Sequence, residues 1–162
     1  MRLDDAAVWQ VLATVPDPEI PTISITELGI VRAVQCVGDV ITITVTPTYA
    51  GGPATEVIQA DIRQALLAVG AVDVHLRTQL TPPWTTDWLS AATRAKLNAN
   101  GIAPPCSAAA SNTHTLIFQP RVLCPRCHSQ RTECLSAFGA TACKALYRCL
   151  ECREPFEYFK AF

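Results

Sequence analysis

Six of the eight cysteines fall between Cys124 and Cys152, and four of them form two C-x-x-C knuckles, Cys124-Pro-Arg-Cys127 and Cys149-Leu-Glu-Cys152. Each knuckle presents two thiolates at one tight turn, and together they supply the four soft ligands of a closed tetrahedral site. That is the donor set of a structural zinc, one ion per chain. A rubredoxin-like iron centre can use the same ligands, and the ribbon-like spacing ranks zinc above it. Cys124 to His128 also spells C-P-R-C-H, a haem-attachment motif, but haem attachment needs export and leaves the second knuckle without a role. Between the knuckles, Cys134 and Cys143 read as small, partly buried residues, and Lys144 and Arg148 as cations that balance a four-thiolate centre. A module of about 40 residues buries little core, so the metal would supply most of its folding free energy.

A second place for chemistry is Thr46 to Ile58, TPTYAGGPATEVI. Ile41, Ile43 and Val45 alternate with threonines and predict a half-buried strand; Val57, Ile58, Ile62, Ala65, Leu66 and Val69 predict a helix, with Pro53 suited to its first position. Gly51 and Gly52 between them let the backbone approach a partner closely. The amides of Ala54, Thr55 and Glu56 would point out of the helix end, where partial positive charge favours an anion or a thiolate. The candidate loop residues are Thr48, Tyr49, Gly51, Gly52, Pro53 and Thr55. Asp17 and Glu19, in the rigid turn DPEIP, join them either as metal-facing carboxylates or as an acidic turn made by its prolines. The structural alternative for the whole stretch is a tight strand-to-helix connection.

The elements that must position these residues are legible in outline. Asp4 or Asp5 caps a first helix carrying Val8, Val11, Leu12 and Val15; Ile30 to Cys36 and Val40 to Thr46 form a hairpin about Gly38 and Asp39. Val72, Val74, Leu76 and Thr78 predict a third strand with one wet face, on which His75 has no evident partner. Pro82, Pro83 and Trp84 lead to a third helix capped by Thr85 or Thr86 and stopped by Gly101, with Trp84 and Trp88 in core or turn packing. The order helix-strand-strand-helix-strand-helix gives a two-layer α+β domain with a mixed three-stranded sheet. Domain limits follow from composition: residues 1–103 for that domain, 104–115 for a flexible linker holding Cys106 and His114, and 116–162 for a small β-rich zinc ribbon.

With 162 residues, a net charge of −1 and no apolar run near the ~18 residues that cross a bilayer, the expectation is a cytoplasmic protein without membrane attachment. Residues 1–120 carry 6 Lys+Arg against 10 Asp+Glu, while residues 121–162 carry 7 against 4. The basic tail is interleaved with Glu133, Glu151, Glu154 and Glu157, a poor phosphate track, so no nucleic acid is expected. A nucleophile paired with a base is not visible, which argues against an enzyme. Exposed sheet edges are compatible with a homodimer.

The run SAFGATACKALYRCLECREPFEYFK, with DPEIP, ITELGIVR, TPTY-x-G-x-PATE, PPWTTDW and GIAPP in order, resembles the phenylacetate-degradation D (PaaD) family over nearly the whole chain. The resemblance implies an iron-sulfur cluster assembly-like first domain, related to the SUF-system T protein, and an appended zinc ribbon. It further implies a non-catalytic accessory of the phenylacetyl-CoA ring 1,2-epoxidase system in aerobic aromatic catabolism. Its task would be iron-sulfur cluster or metal maturation of the system's reductase, which carries a 2Fe-2S centre. The alternatives are a docking component of the epoxidase complex and, more weakly, a nucleic-acid-binding ribbon. The family usually reads TPTY-x-G-C-P, and here Gly52 takes the place of the cysteine; the usual ending FKC is altered to Phe159-Lys160-Ala161. A thiol at position 52 could hold a transient cluster, and glycine cannot. Cys143 remains as an extra thiol from the family's non-knuckle cysteines.

Overall fold

The computed structural model describes residues 2–49, 52–106 and 121–161. The elements in order are α1 (Asp5–Leu12), β1 (Val31–Val37), β2 (Val40–Val45), α2 (Ala54–Ala68), β3 (Asp73–Thr78), a 3-10 turn (Thr86–Trp88), α3 (Ala91–Ala99), β4 (Ile102–Ala103), β5 (Thr132–Ser136), β6 (Lys144–Cys149) and β7 (Pro155–Phe159). They separate into two compact units, Met1–Trp88 and Leu89–Phe162. Among the described residues no helix is long and apolar enough to cross a membrane.

In the first unit the sheet order is β1-β2-β3, with β1 and β2 antiparallel and β2 and β3 parallel. A parallel neighbour needs a crossover, and α2 supplies it. α1 packs on β1, α2 on β3, and the two helices touch, which gives the expected helical layer on a mixed sheet. Asp4 is the N-cap of α1, its carboxylate accepting from the Ala7 amide at 2.7 Å. α2 buries Ile58, Ile62 and Leu66, one residue per turn on one stripe. Val57 and Val69, which the helical spacing turns inward, are exposed, because a stripe one residue wide already covers the sheet. A bulge sets Arg32 out of register between Val31 and Ala33, and its guanidinium lies 3.8 Å from the centre of the Trp88 ring. Trp84 is buried and its indole N–H donates to the Leu28 carbonyl at 2.8 Å. His75 is not alone on its wet face: Nε2 lies 3.1 Å from Asp73 Oδ1, two residues away on the same side of β3.

In the second unit the sheet order is β4-β7-β6-β5. β4 runs parallel to β7, whereas β7, β6 and β5 are antiparallel neighbours. Its core gathers Ala103, Val122, Ala145, Tyr147, Phe156 and Tyr158 around Cys124 and Cys149, with the Tyr147 and Tyr158 rings edge to face at 5.4 Å. α3 is capped by Ser90, which accepts from the Thr93 amide at 3.1 Å, and not by Thr85 or Thr86. Those threonines precede a separate 3-10 turn or lie in it, so the helix starts later than the apolar spacing suggests. The composition of residues 104–115 draws a boundary at 103, whereas the pairing of Ile102 and Ala103 with Glu157 and Tyr158 carries α3 and β4 into the second unit. The start of the stretch read as a linker is tied down. The Pro105 carbonyl accepts from Arg94 Nη1 at 2.6 Å, and the Cys106 amide donates to the Tyr158 hydroxyl at 3.4 Å. His114 lies outside the described residues.

Candidate metal centre and glycine loop

The two knuckles are built alike. In the first, the Cys124 amide donates to the Ser129 carbonyl at 3.0 Å; in the second, the Cys149 amide donates to the Glu154 carbonyl at 3.0 Å. The residue after each second cysteine, His128 (φ 61°) or Arg153 (φ 67°), is left-handed. Few non-glycine residues accept that conformation, and here it turns the chain back so that both sulfurs of a knuckle face the same point. The sulfurs of Cys124, Cys127, Cys149 and Cys152 all lie within 4.8 Å of one another. Cys124 and Cys152 are 3.7 Å apart and Cys127 and Cys149 3.5 Å, far beyond a disulfide bond. Four sulfurs at about 2.3 Å from a tetrahedral zinc would stand about 3.8 Å from each other, so the donor set fits a single ion of that kind.

The electrostatics point the same way. Burial raises the Cys149 thiol, but hydrogen bonds from the Cys152 and Glu151 amides, each 3.4 Å from its sulfur, together with those of the Cys127 and Cys152 side chains bring it down to about 7. At Cys152 a backbone hydrogen bond at Glu154 lowers the pKa, and burial together with the three neighbouring sulfurs drives it up to about 12. Crowded thiols cannot all ionise unless a cation joins them. That cation is not Lys144 or Arg148, contrary to the expectation from their places in the sequence. Lys144 is buried with Nζ 2.8 Å from Glu157, and Arg148 pairs with Glu133. Arg126 and Arg131 likewise pair with Glu154 (3.3 Å) and Glu151 (2.8 Å).

Among the described residues Cys134 and Cys143 are not part of the four-sulfur group. Cys143 is buried, its sulfur 3.1 Å from the Thr141 hydroxyl, while Cys134 is exposed rather than partly buried because β5 is the edge strand of its sheet. The backbone partners Ser129, Glu151 and Glu154, which set the knuckles, carry no side-chain signature. The signal available is positional: each is the second residue after a knuckle cysteine.

The glycine loop leaves the end of β2 as a bend through Thr48 and Tyr49 and enters α2 at Pro53, which sits at the cap position without side-chain capping. Gly51 lies outside the described residues. The Thr55 amide donates to the Gly52 carbonyl at 3.3 Å. Among the described residues the DPEIP turn comes to this loop through Glu19: the Tyr49 hydroxyl donates to Glu19 Oε1 at 2.7 Å. Asp17 holds its own turn, being buried and accepting from the Glu19 and Ile20 amides at 2.9 and 2.8 Å. At the head of the loop Thr46 is buried, and its hydroxyl has no hydrogen-bond partner among the described residues.

Comparison with known proteins assigns both units. The chain matches the PaaD zinc beta ribbon domain over residues 108–160 and the iron-sulfur cluster assembly protein family over residues 5–75. It is 49% identical over 153 residues to the D component of the 1,2-phenylacetyl-CoA epoxidase of Escherichia coli K12, a match covering 94% of this chain and 90% of that protein. An Fe-S protein maturation auxiliary factor from Porphyromonas gingivalis is 33% identical over 85 residues, 51% of this chain and 80% of that one. The crystal structure of a domain of unknown function from Bacillus anthracis superposes with a TM-score of 0.54 at 27% identity, over 57% of this chain and 90% of that chain. An identity near one half, sustained across both units, shows that the chain belongs to the PaaD family, the D components of 1,2-phenylacetyl-CoA epoxidase systems.

Proposed function

We propose that the chain is a non-catalytic accessory of the phenylacetyl-CoA ring 1,2-epoxidase system in aerobic phenylacetate catabolism, assisting iron-sulfur cluster or metal maturation of the reductase. The carrying observation is the match to the epoxidase D component along 90% of its length, and the likeness of about half of the chain to a maturation factor supports the same role. In this reading Cys124, Cys127, Cys149 and Cys152 hold one zinc as a structural ion, in preference to iron, which fixes the ribbon and performs no reaction. Sulfur-to-sulfur distances of 3.5 and 3.7 Å support a four-thiolate tetrahedral ion, and the ribbon-like spacing of the knuckles supports zinc as that ion. The domain limits we adopt remain 1–103, 104–115 and 116–162 in sequence terms, with the last part of the first folding onto the ribbon sheet.

Deleting the protein tests the role. Reductase purified from the deletion strain should contain markedly less iron and acid-labile sulfide, and undiminished loading would remove the proposal. A docking component without cluster transfer is the second reading, favoured by glycine at position 52, since no thiol stands at the mouth of α2. Co-purification in fixed stoichiometry with the oxygenase, together with normal reductase clusters, would select it. Nucleic acid fits the ribbon poorly because Arg126, Arg131, Lys144 and Arg148 each pair with a glutamate.

A further inference from the structure

Position 52 is glycine for a reason other than backbone conformation. Gly29, Gly38, Gly70 and Gly101 have positive φ, and Gly52 is not among them. What a side chain there would meet is the ring of Tyr49. A Cβ on residue 52 would lie 2.4 Å from Tyr49 Cε2, 2.9 Å from Cζ and 3.0 Å from the hydroxyl oxygen. Carbon atoms in contact rest about 3.5 to 4.0 Å apart, so the nearest approach is roughly 1 Å too short to tolerate. The ring is also held at its far end, where the hydroxyl donates to Glu19 Oε1 at 2.7 Å. Glu19 belongs to a turn that the buried Asp17 carboxylate pins through two amides.

We infer that Tyr49 is a latched lid over Gly52. The ring and a side chain at position 52 compete for one volume, so glycine is what permits the lid to close, and the Tyr49–Glu19 hydrogen bond is the latch. Opening requires that bond to break and the ring to rotate away. Anything approaching the backbone of Gly52 from the side a Cβ would occupy must displace the ring first. The inference concerns this steric exchange and needs no iron-sulfur chemistry. It therefore stands or falls separately from the proposed function.

The test uses the full metal-loaded chain, reading thermal unfolding of the first unit and nitration of Tyr49 by tetranitromethane mapped on peptides. Gly52→Ala should lower the unfolding midpoint by about 4 °C, the size of one lost hydrogen bond in a unit this small, and speed Tyr49 nitration several-fold. In a Tyr49→Ala background the same substitution should shift the midpoint by less than about 1 °C, because the three nearest atoms are then gone. Glu19→Ala, which removes the latch alone, should also speed nitration. Equal midpoint shifts in the two backgrounds, or a nitration rate unmoved by both Gly52→Ala and Glu19→Ala, would overturn the lid. If Gly52→Ala fails to fold, rescue by Tyr49→Ala supports the inference and failure of the double variant sinks it.

Discussion

The two units solve the same problem with different forces. In Met1–Trp88 the core is closed by aliphatic side chains: Val8 and Leu12 of α1, Ile41 and Ile43 of β2, and Ile58, Ile62 and Leu66 of α2 are all at most 4% exposed. Each such side chain contributes about 1.5 to 3 kcal/mol by leaving water, and no special chemistry is required. The ribbon sheet has a buried cluster of eight residues, two of which, Cys124 and Cys149, belong to the four-sulfur centre. Without an ion that core would hold two crowded thiols at its heart. The lesson is that paired thiols converge where the fold cannot be closed by burial alone. At the mouth of α2 the chain has a glycine under an aromatic ring instead.

The largest expected effect separates the units by metal. A strong chelator, or Cys149→Ser, should abolish amide-exchange protection in β5, β6 and β7, because structural zinc in such modules supplies on the order of 10 kcal/mol. Protection of β1, β2 and α2 should persist under the same treatment. Acid should act as the chelator does, since every ligand must lose its proton to bind, so metal affinity falls as pH falls. Simultaneous loss of protection in both units would break the comparison and make the chain one cooperative body.

The converse test strikes the first unit. Ile62 is fully buried on the inner stripe of α2, and Ile62→Ala should cost about 2 to 5 kcal/mol through lost contacts and the cavity left behind. Two unfolding transitions are expected, and only the one that is insensitive to chelator should move. Metal content of the purified variant should stay at one ion per chain. A variant that loses metal as well as stability would show that the ribbon depends on its neighbour.

How much of this could be seen in the chain beforehand follows from how local each cause is. The knuckles, the Asp4 cap, the Gly38 turn and the sheet strands are written within a few residues, and they appear where periodicity and turn chemistry put them. The start of α3 escapes such reading because Thr85, Thr86 and Ser90 are all competent caps, and only the intervening 3-10 turn decides among them. The allegiance of β4 is hidden for a different reason. Two residues, Ile102 and Ala103, have no period to detect, and their partners Glu157 and Tyr158 are more than fifty residues away. Distance in sequence also hides the pairing of Lys144 with Glu157 and the meeting of Tyr49 with Glu19, since spacing within one stretch carries no information about a second.

The smallest effect sharpens the contrast between the thiols themselves. Cys149 is brought down to about 7 where a cation is wanted, whereas Cys36, on β1, is driven up to about 11. Burial is the main cause, followed by the hydrogen bond and charge of Asp5 and then the charge of Asp4; Asp5 also accepts from the Cys36 amide at 2.9 Å. A raised thiol favours the neutral folded form, so its contribution to stability is complete below the ordinary pKa near 9 and is lost as pH rises toward 11. At pH 8 the Cys36 thiolate population should be about a hundredth of that of an ordinary thiol, and iodoacetamide should modify it correspondingly slowly. Asp5→Asn keeps an oxygen for the amide and removes the charge. It should recover only part of the rate, because burial, the larger cause, is untouched. Full recovery would assign the shift to Asp5, and with it the protection of the thiol to the first turn of α1 rather than to the packed sheet.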